Sequence, residues 1–256
     1  KLQARYFVGL VLVLCLFDLW IVNKRYLNDE MFVEASVKDQ PVGKDGSINF
    51  ILNDKSLGYR VLNLSKSTFN ENETSYYVNS IGGYHAAKLR RYQELVDAYI
   101  HKEMNGVFSS VSKAQGDMTK VNGDSIFPVL NMLNAKYFIL PLEGGQTVPI
   151  TNPYVYGSAW LVDKVTYVDN ANKELDGLSS MQLRHEAVAD KKFSDVLGGS
   201  VKQEGESVVT LKVYGPNHAE YDVRSSKGGV VVFSEIYYPG WTATVDGEPV
   251  EVGRVN

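Results

Sequence analysis

Cysteine occurs once in this chain of 256 residues, at Cys15, and histidine four times, at His85, His101, His185 and His218. A lone cysteine excludes a disulfide framework and any Cys-rich zinc site. The histidines are scattered, and a metal centre needs three or more convergent ligands, so neither a metal nor a cofactor is expected. His185 and Glu186 adjoin, but neighbours in a strand point to opposite faces. Also missing are the phosphate-cradling P-loop, the GxGxxG dinucleotide fingerprint, the GxSxG nucleophile elbow and the HExxH zinc helix. No catalytic residue is assigned. Carboxylates that cluster, Asp29 with Glu30 and Glu71 with Glu73, lie in polar, loop-like stretches and read as solvated surface rather than as an acid and base pair. A soluble hydrolase would need two facing carboxylates about 5 to 10 Å apart, which no spacing here encodes.

Positive charge is also scarce outside one end of the chain. Residues 1–25 hold four of the 26 basic residues (Lys1, Arg5, Lys24, Arg25) and one of the 30 acidic ones (Asp18), which leaves 22 against 29. An acidic remainder disfavours nucleic acid and anionic lipid surfaces as partners, because phosphate binding draws on clustered Lys and Arg.

What is present is an apolar run from Tyr6 to Val22, YFVGLVLVLCLFDLWIV, in which Asp18 is the only charge. Seventeen residues rise roughly 25 Å as a helix, a little short of the roughly 30 Å hydrocarbon core. A signal peptide fits the basic start but lacks a small-residue cleavage site after the run. A buried helix of a soluble domain has the same periodicity. Apolar residues all round the helix, with Trp20 and Asp18 at one end as an interfacial anchor, favour a membrane helix, in which Cys15 is inert packing. The balance of Lys1 and Arg5 against Lys24 and Arg25 leaves its topology open. A first residue of Lys rather than Met reads as a piece of a longer protein.

Beyond the run the pattern is α+β: a mixed α/β part followed by an antiparallel β-sandwich, preceded by one membrane-helix segment. The boundaries expected are 1–25 for the membrane segment, 26–199 for an extracytoplasmic α+β domain and 200–256 for the sandwich, with a Gly-rich join at Leu197–Glu206. Strands are predicted at Tyr59–Leu64, in KYFILPL from Lys136, and at Ala159–Val168. A long helix is predicted from Gly83, on the helical spacing of His85, Leu89, Tyr92, Val96 and Tyr99, with Gly106 as its stop. A second runs from Ser125 to Ala135 with Pro128 in its first turn. A further helical turn follows Asp169 or Asn170 as N-cap. Near the end, Val209, Leu211 and Val213, then Tyr221 and Val223, then Trp241, Ala243 and Val245 alternate with polar residues as half-buried strands. Asp246-Gly247 is the strongest hairpin signal, and the apolar VVVF from Val230 predicts a central sandwich strand.

Two constellations are candidate ligand sites. Tyr84, Lys88 and Arg91, with His85, fall at helical spacing in GGYHAAKLRRYQEL and offer cations and a phenol to an acidic sugar or a lipid phosphate. The competing reading is a basic stripe paired with neighbouring acids. Tyr237, Tyr238 and Trp241 surround the turn in EIYYPGWTA, where aromatic faces stack on sugar rings or plug the end of a core.

The ordered motifs YRVLNL, SIGGYHAAKLRRYQEL, VLNMLNAKYFIL, GSAWLVDKV and FSEIYYPGWTATVDGEPV resemble the YfhO-type bacterial membrane protein family in its Bacteroidetes form, over almost the whole chain from Tyr6. The resemblance implies the end of a membrane helix followed by an extracytoplasmic (periplasmic) region in the bacterial cell membrane. It also implies similarity to multi-spanning glycosyltransferases that use lipid-linked sugars. The catalytic acid of that class lies in an early loop with no counterpart here, so no catalytic residue carries over. What the resemblance implies for this region is a non-catalytic domain that binds an envelope polysaccharide or lipid-linked sugar, or covers a catalytic cavity. The alternative is an assembly module that binds no sugar, and the oligomeric state is open.

Overall fold

The computed structural model describes residues 3–39, 41–203, 205 and 207–256. Lys1 of the flanking charges and Glu204 and Glu206 of the Gly-rich join therefore lie outside the described residues. The chain divides into two compact units, Lys1–Gly43 and Lys44–Asn256.

The first unit is dominated by a helix at Ala4–Tyr26, 23 residues long, with no buried residue. At about 1.5 Å per residue it measures about 35 Å, long enough and apolar enough to cross a membrane. It extends beyond the apolar run because Asn23, Lys24 and Arg25 continue it. The two cations in its last turn suit the negative end of the helix dipole. Asp18 thus lies well inside the helix rather than at its end. Two 3₁₀ turns follow, Asp29–Met31 and Ala35–Lys38, the first capped by the Asn28 side chain accepting from the Glu30 amide at 3.0 Å.

The second unit is mixed α/β with small sheets. Strands β1 (Arg60–Asn63), β2 (Ala135–Pro141) and β3 (Thr147–Thr151) form the largest, with β1 parallel and β3 antiparallel to the central β2. Strand β2 is buried on both faces. Phe138 and Leu140 enter the main core, while Tyr137 and Ile139 join a second core with Ile48, Ile51 and Val61. The expected strand at Ala159–Val168 is two strands, β4 (Ala159–Val162) and β5 (Lys164–Val168), in different sheets. The break falls at Asp163, whose amide donates to the His185 carbonyl and whose carboxylate accepts from the Gln203 amide. Strand β5 pairs in parallel with β6 (Glu186–Asp190), the connection passing through the helix Ala171–Gly177. Its N-cap is Asn170, which accepts from the Lys173 amide at 3.0 Å, one of the two caps expected.

The long helix starts later and ends later than its periodicity predicts. Gly82 packs so tightly that a Cβ would lie 1.9 Å from the Thr68 carbonyl oxygen, and Gly83 has φ +122°. That backbone prevents helical entry at 83, and the helix begins at Arg90. It passes through a π-helical turn at Val96–Ile100 and continues to Lys113. Gly106 is not its stop but a close-packing point: a Cβ there would meet Ile126 at 2.8 Å. The actual end is at Gln115 and Gly116, both with positive φ, the Gly116 amide returning to the Val111 carbonyl. The helix expected from Ser125 to Ala135 is divided into Gly123–Ile126 and Pro128–Met132, because proline disfavours helical backbone at Phe127.

The C-terminal part does not close into a sandwich. Strands β7 (Val208–Gly215) and β8 (His218–Arg224) form a two-stranded hairpin. Strand β9 (Val230–Phe233), expected to be central, pairs among the described residues with β4 alone. Strands β10 (Ala243–Val245) and β11 (Glu248–Val250) form a second hairpin, so Trp241 lies outside the strand predicted from it. Asp246 and Gly247 have φ +52° and +89°, the positive pair that a type I′ turn requires.

Candidate ligand-binding surface

The first candidate constellation is carried by a loop rather than a helix face. Residues 82–89 are laced to the loop 65–72: the Gly83 amide donates to the Thr68 carbonyl at 2.8 Å and the Tyr84 amide to the Glu71 carbonyl at 2.9 Å. The lacing projects Tyr84 outward, 67% exposed, over a shallow recess lined by Asn70, Glu71 and Asn72. His85 turns back on itself, its Nδ1 accepting from the Ala87 amide at 3.1 Å. The Lys88 ammonium lies 5.1 Å from the centre of the Phe69 ring, which packs edge-on against His101.

Arg91 departs from this group. It lies in the helix and reaches inward to Glu174, a fully buried carboxylate, with Nη1 3.4 Å from Oε2. Arg254 donates to the same oxygen at 2.7 Å, and the Asp190 amide donates to Oε1 at 3.2 Å. Burial, followed by the adjacent Arg254, pushes the Arg91 pKa down. The common stripe of Tyr84, Lys88 and Arg91 is therefore not formed.

The second constellation occupies the segment between β9 and β10. Tyr237, Tyr238 and Trp241 are 36%, 59% and 44% exposed. They present aromatic faces rather than plugging a core. Tyr237 packs edge-on against Phe193 with ring centres 6.1 Å apart.

Sequence reasoning missed Glu174, Arg254 and Phe193, because nothing in their spacing ties them to one another or to Arg91. It also missed two acids with built surroundings, the buried Glu103 and the half-buried Asp54. Glu103 accepts from the amides of Val129 and Leu130 at 3.0 and 2.8 Å, and so caps the helix that Pro128 opens. Burial pushes its carboxyl up to about 7 against the pull of those donors. Asp54 accepts from Lys136 Nζ at 2.6 Å and from the Tyr137 hydroxyl at 2.8 Å. Burial alone would raise Asp54, but Lys136, Ser56 and Tyr137 together hold it well below the usual carboxylate range.

Among the described residues no three or more His, Cys, Asp or Glu side chains are grouped to hold a metal ion. The chemistry on offer is recognition: exposed phenol and indole faces with amide, ammonium and guanidinium groups nearby. No family model, curated protein or solved structure matches this chain.

Proposed function

We propose that this chain is a non-catalytic extracytoplasmic domain, tethered by the helix Ala4–Tyr26, of a membrane protein resembling lipid-linked-sugar-dependent glycosyltransferases. In that role it binds an envelope glycan acceptor. The observation that supports binding is the outward exposure of Tyr84, Tyr237, Tyr238 and Trp241 on loops. Aromatic side chains left in water cost burial free energy that a stacked sugar face recovers. Loops on a packed scaffold are also where binding residues concentrate. The bacterial cell membrane and its extracytoplasmic side follow from the same family resemblance.

The test is titration of the full chain in detergent with envelope polysaccharides, read by tryptophan fluorescence. Of the three tryptophans, Trp20 lies in the apolar helix, Trp160 is buried and Trp241 is exposed, so a ligand at the C-terminal loop perturbs chiefly Trp241. A saturable change that disappears in Trp241→Phe is the expected result, and a flat response to every glycan would sink the proposal.

A second reading, an assembly module that contacts other membrane proteins and no sugar, is favoured by the exposure of Ile236 and of Val245 and Val250 in the β10–β11 hairpin. It predicts that Val245→Asp and Val250→Asp release a co-purifying protein while glycan titrations stay flat.

A further inference from the structure

Arg91 and Tyr237 come from separate constellations, yet one unbroken series of contacts joins them. Arg91 meets Glu174, Glu174 meets Arg254, the Arg254 guanidinium lies 5.5 Å from the centre of the Phe193 ring, and Phe193 packs on Tyr237. Two features of this cluster go beyond what packing requires.

The first is charge. Two guanidiniums share the single carboxylate of Glu174, so these three groups carry one net positive charge. Of the nearby acids, Glu94 acts on Arg91 through space but is hydrogen-bonded by Arg90 at 2.8 Å, and Asp190 faces Lys192 at 3.7 Å. The second is unused donor capacity. Arg91 makes one hydrogen bond among the described residues, to Glu174, and its side chain keeps 35% of its exposure. Arg254 Nε is buried and has no hydrogen-bond partner among the described residues. A guanidinium carries five N–H donors in a planar fork matched to carboxylate oxygens. The exposed Tyr237 ring packs on Phe193, the ring that the Arg254 guanidinium overlies.

We infer that Arg91, Arg254 and Tyr237 form a subsite for an acidic oligosaccharide, the guanidinium fork of Arg91 pairing with a sugar carboxylate while Tyr237 stacks on a ring of the same oligosaccharide. Glu174 and Phe193 are positioning residues: the first holds both guanidiniums, the second supports Arg254 and Tyr237. The inference rests on the glycan-binding reading above and names the class of glycan, one bearing carboxylates, as on a uronic acid. Such a ligand also brings a carboxylate to a cluster whose own three charged groups sum to one positive charge.

The experiment is calorimetric titration of the full chain in detergent with a galacturonic acid oligosaccharide, with the neutral galactose oligosaccharide of the same length, and with inorganic phosphate. The acidic oligosaccharide is expected to bind at least about tenfold more tightly than the neutral one, the order of one charge-assisted pair. Its affinity falls with added salt while that of the neutral sugar does not. Arg91→Gln abolishes the preference, and Tyr237→Ala weakens both sugars. Should Arg91→Gln fail to fold, the salt dependence and Tyr237→Ala carry the same decision. Equal affinity for the acidic and neutral sugars overturns this inference and leaves the glycan reading standing, whereas binding of neither overturns both. Phosphate that binds as tightly as the acidic sugar, with Tyr237→Ala silent, overturns the saccharide assignment.

Discussion

Strand β2 and the β7–β8 hairpin are both legible in the sequence as strands, and they have opposite fates. In β2 four consecutive residues, Tyr137 to Leu140, are buried. In β7 and β8 no residue is, although Leu211, Val213, Tyr221 and Val223 alternate with polar neighbours as a half-buried strand should. The difference lies in what covers them. Two flanking strands and a hydrophobic cluster on each face enclose β2, whereas among the described residues β7 and β8 pair with each other and with no third strand. Alternation selects the strand backbone, and tertiary partners decide how much of the apolar face leaves water. The C-terminal region therefore offers accessible surface, and the region around β2 provides the rigid support.

The comparison breaks most sharply if both regions respond alike to truncation. Phe138→Ala removes a fully buried ring from the main core and is expected to cost about 3 to 5 kcal/mol, whereas Val223→Ala should change stability by no more than about 0.5 kcal/mol. Denaturant unfolding of the full chain in detergent measures both, and similar losses would show that the hairpin is covered by more than its partner strand.

Next in size is Glu174→Gln. It leaves Arg91 and Arg254 without a buried counter-charge and is expected to cost about 3 kcal/mol in the same assay. A near-neutral result would mean that the two guanidiniums find solvent or another anion.

Glu103 sharpens the comparison through pH. Its folded pKa, about 7, lies above the ordinary value of 4.5, so the folded state holds more protons than the unfolded state between those values. Its contribution is complete below pH 4.5 and is lost as pH rises through about 7. Wild-type stability should therefore fall across that window relative to Glu103→Gln, whose side chain does not titrate. Parallel pH profiles for the two proteins would refute the assignment.

The smallest effect is expected at the distal hairpin. Gly247→Ala at φ +89° should cost about 1 kcal/mol or less, read as loss of amide-exchange protection in β10 and β11 with β2 unchanged.

The candidate site was partly legible. Tyr84, Tyr237, Tyr238 and Trp241 are singled out by aromatic content beside turn residues, and all four are exposed. The spacing of Tyr84, Lys88 and Arg91 misled, because Gly82 and Gly83 give local backbone geometry precedence over apolar periodicity. Glu174 carries no sign in its surroundings of being fully buried. Charged residues are almost never buried unless paired, and its partners lie 83 and 80 residues away.

By itself the sequence determined the long apolar helix, strands β1, β2 and β7 to β10 in outline but not β3 or β6, a cap at Asp169 or Asn170, and the Asp246-Gly247 turn. These depend on side-chain period, backbone preference and capping within a few residues. Only the tertiary structure decided that Ala159–Val168 serves two sheets, that β9 has one partner, and that Arg91, Glu174, Phe193, Tyr237 and Arg254 form one cluster. Each of those outcomes is a contact between distant segments, set by which faces pack together, and no local pattern of residues carries that information.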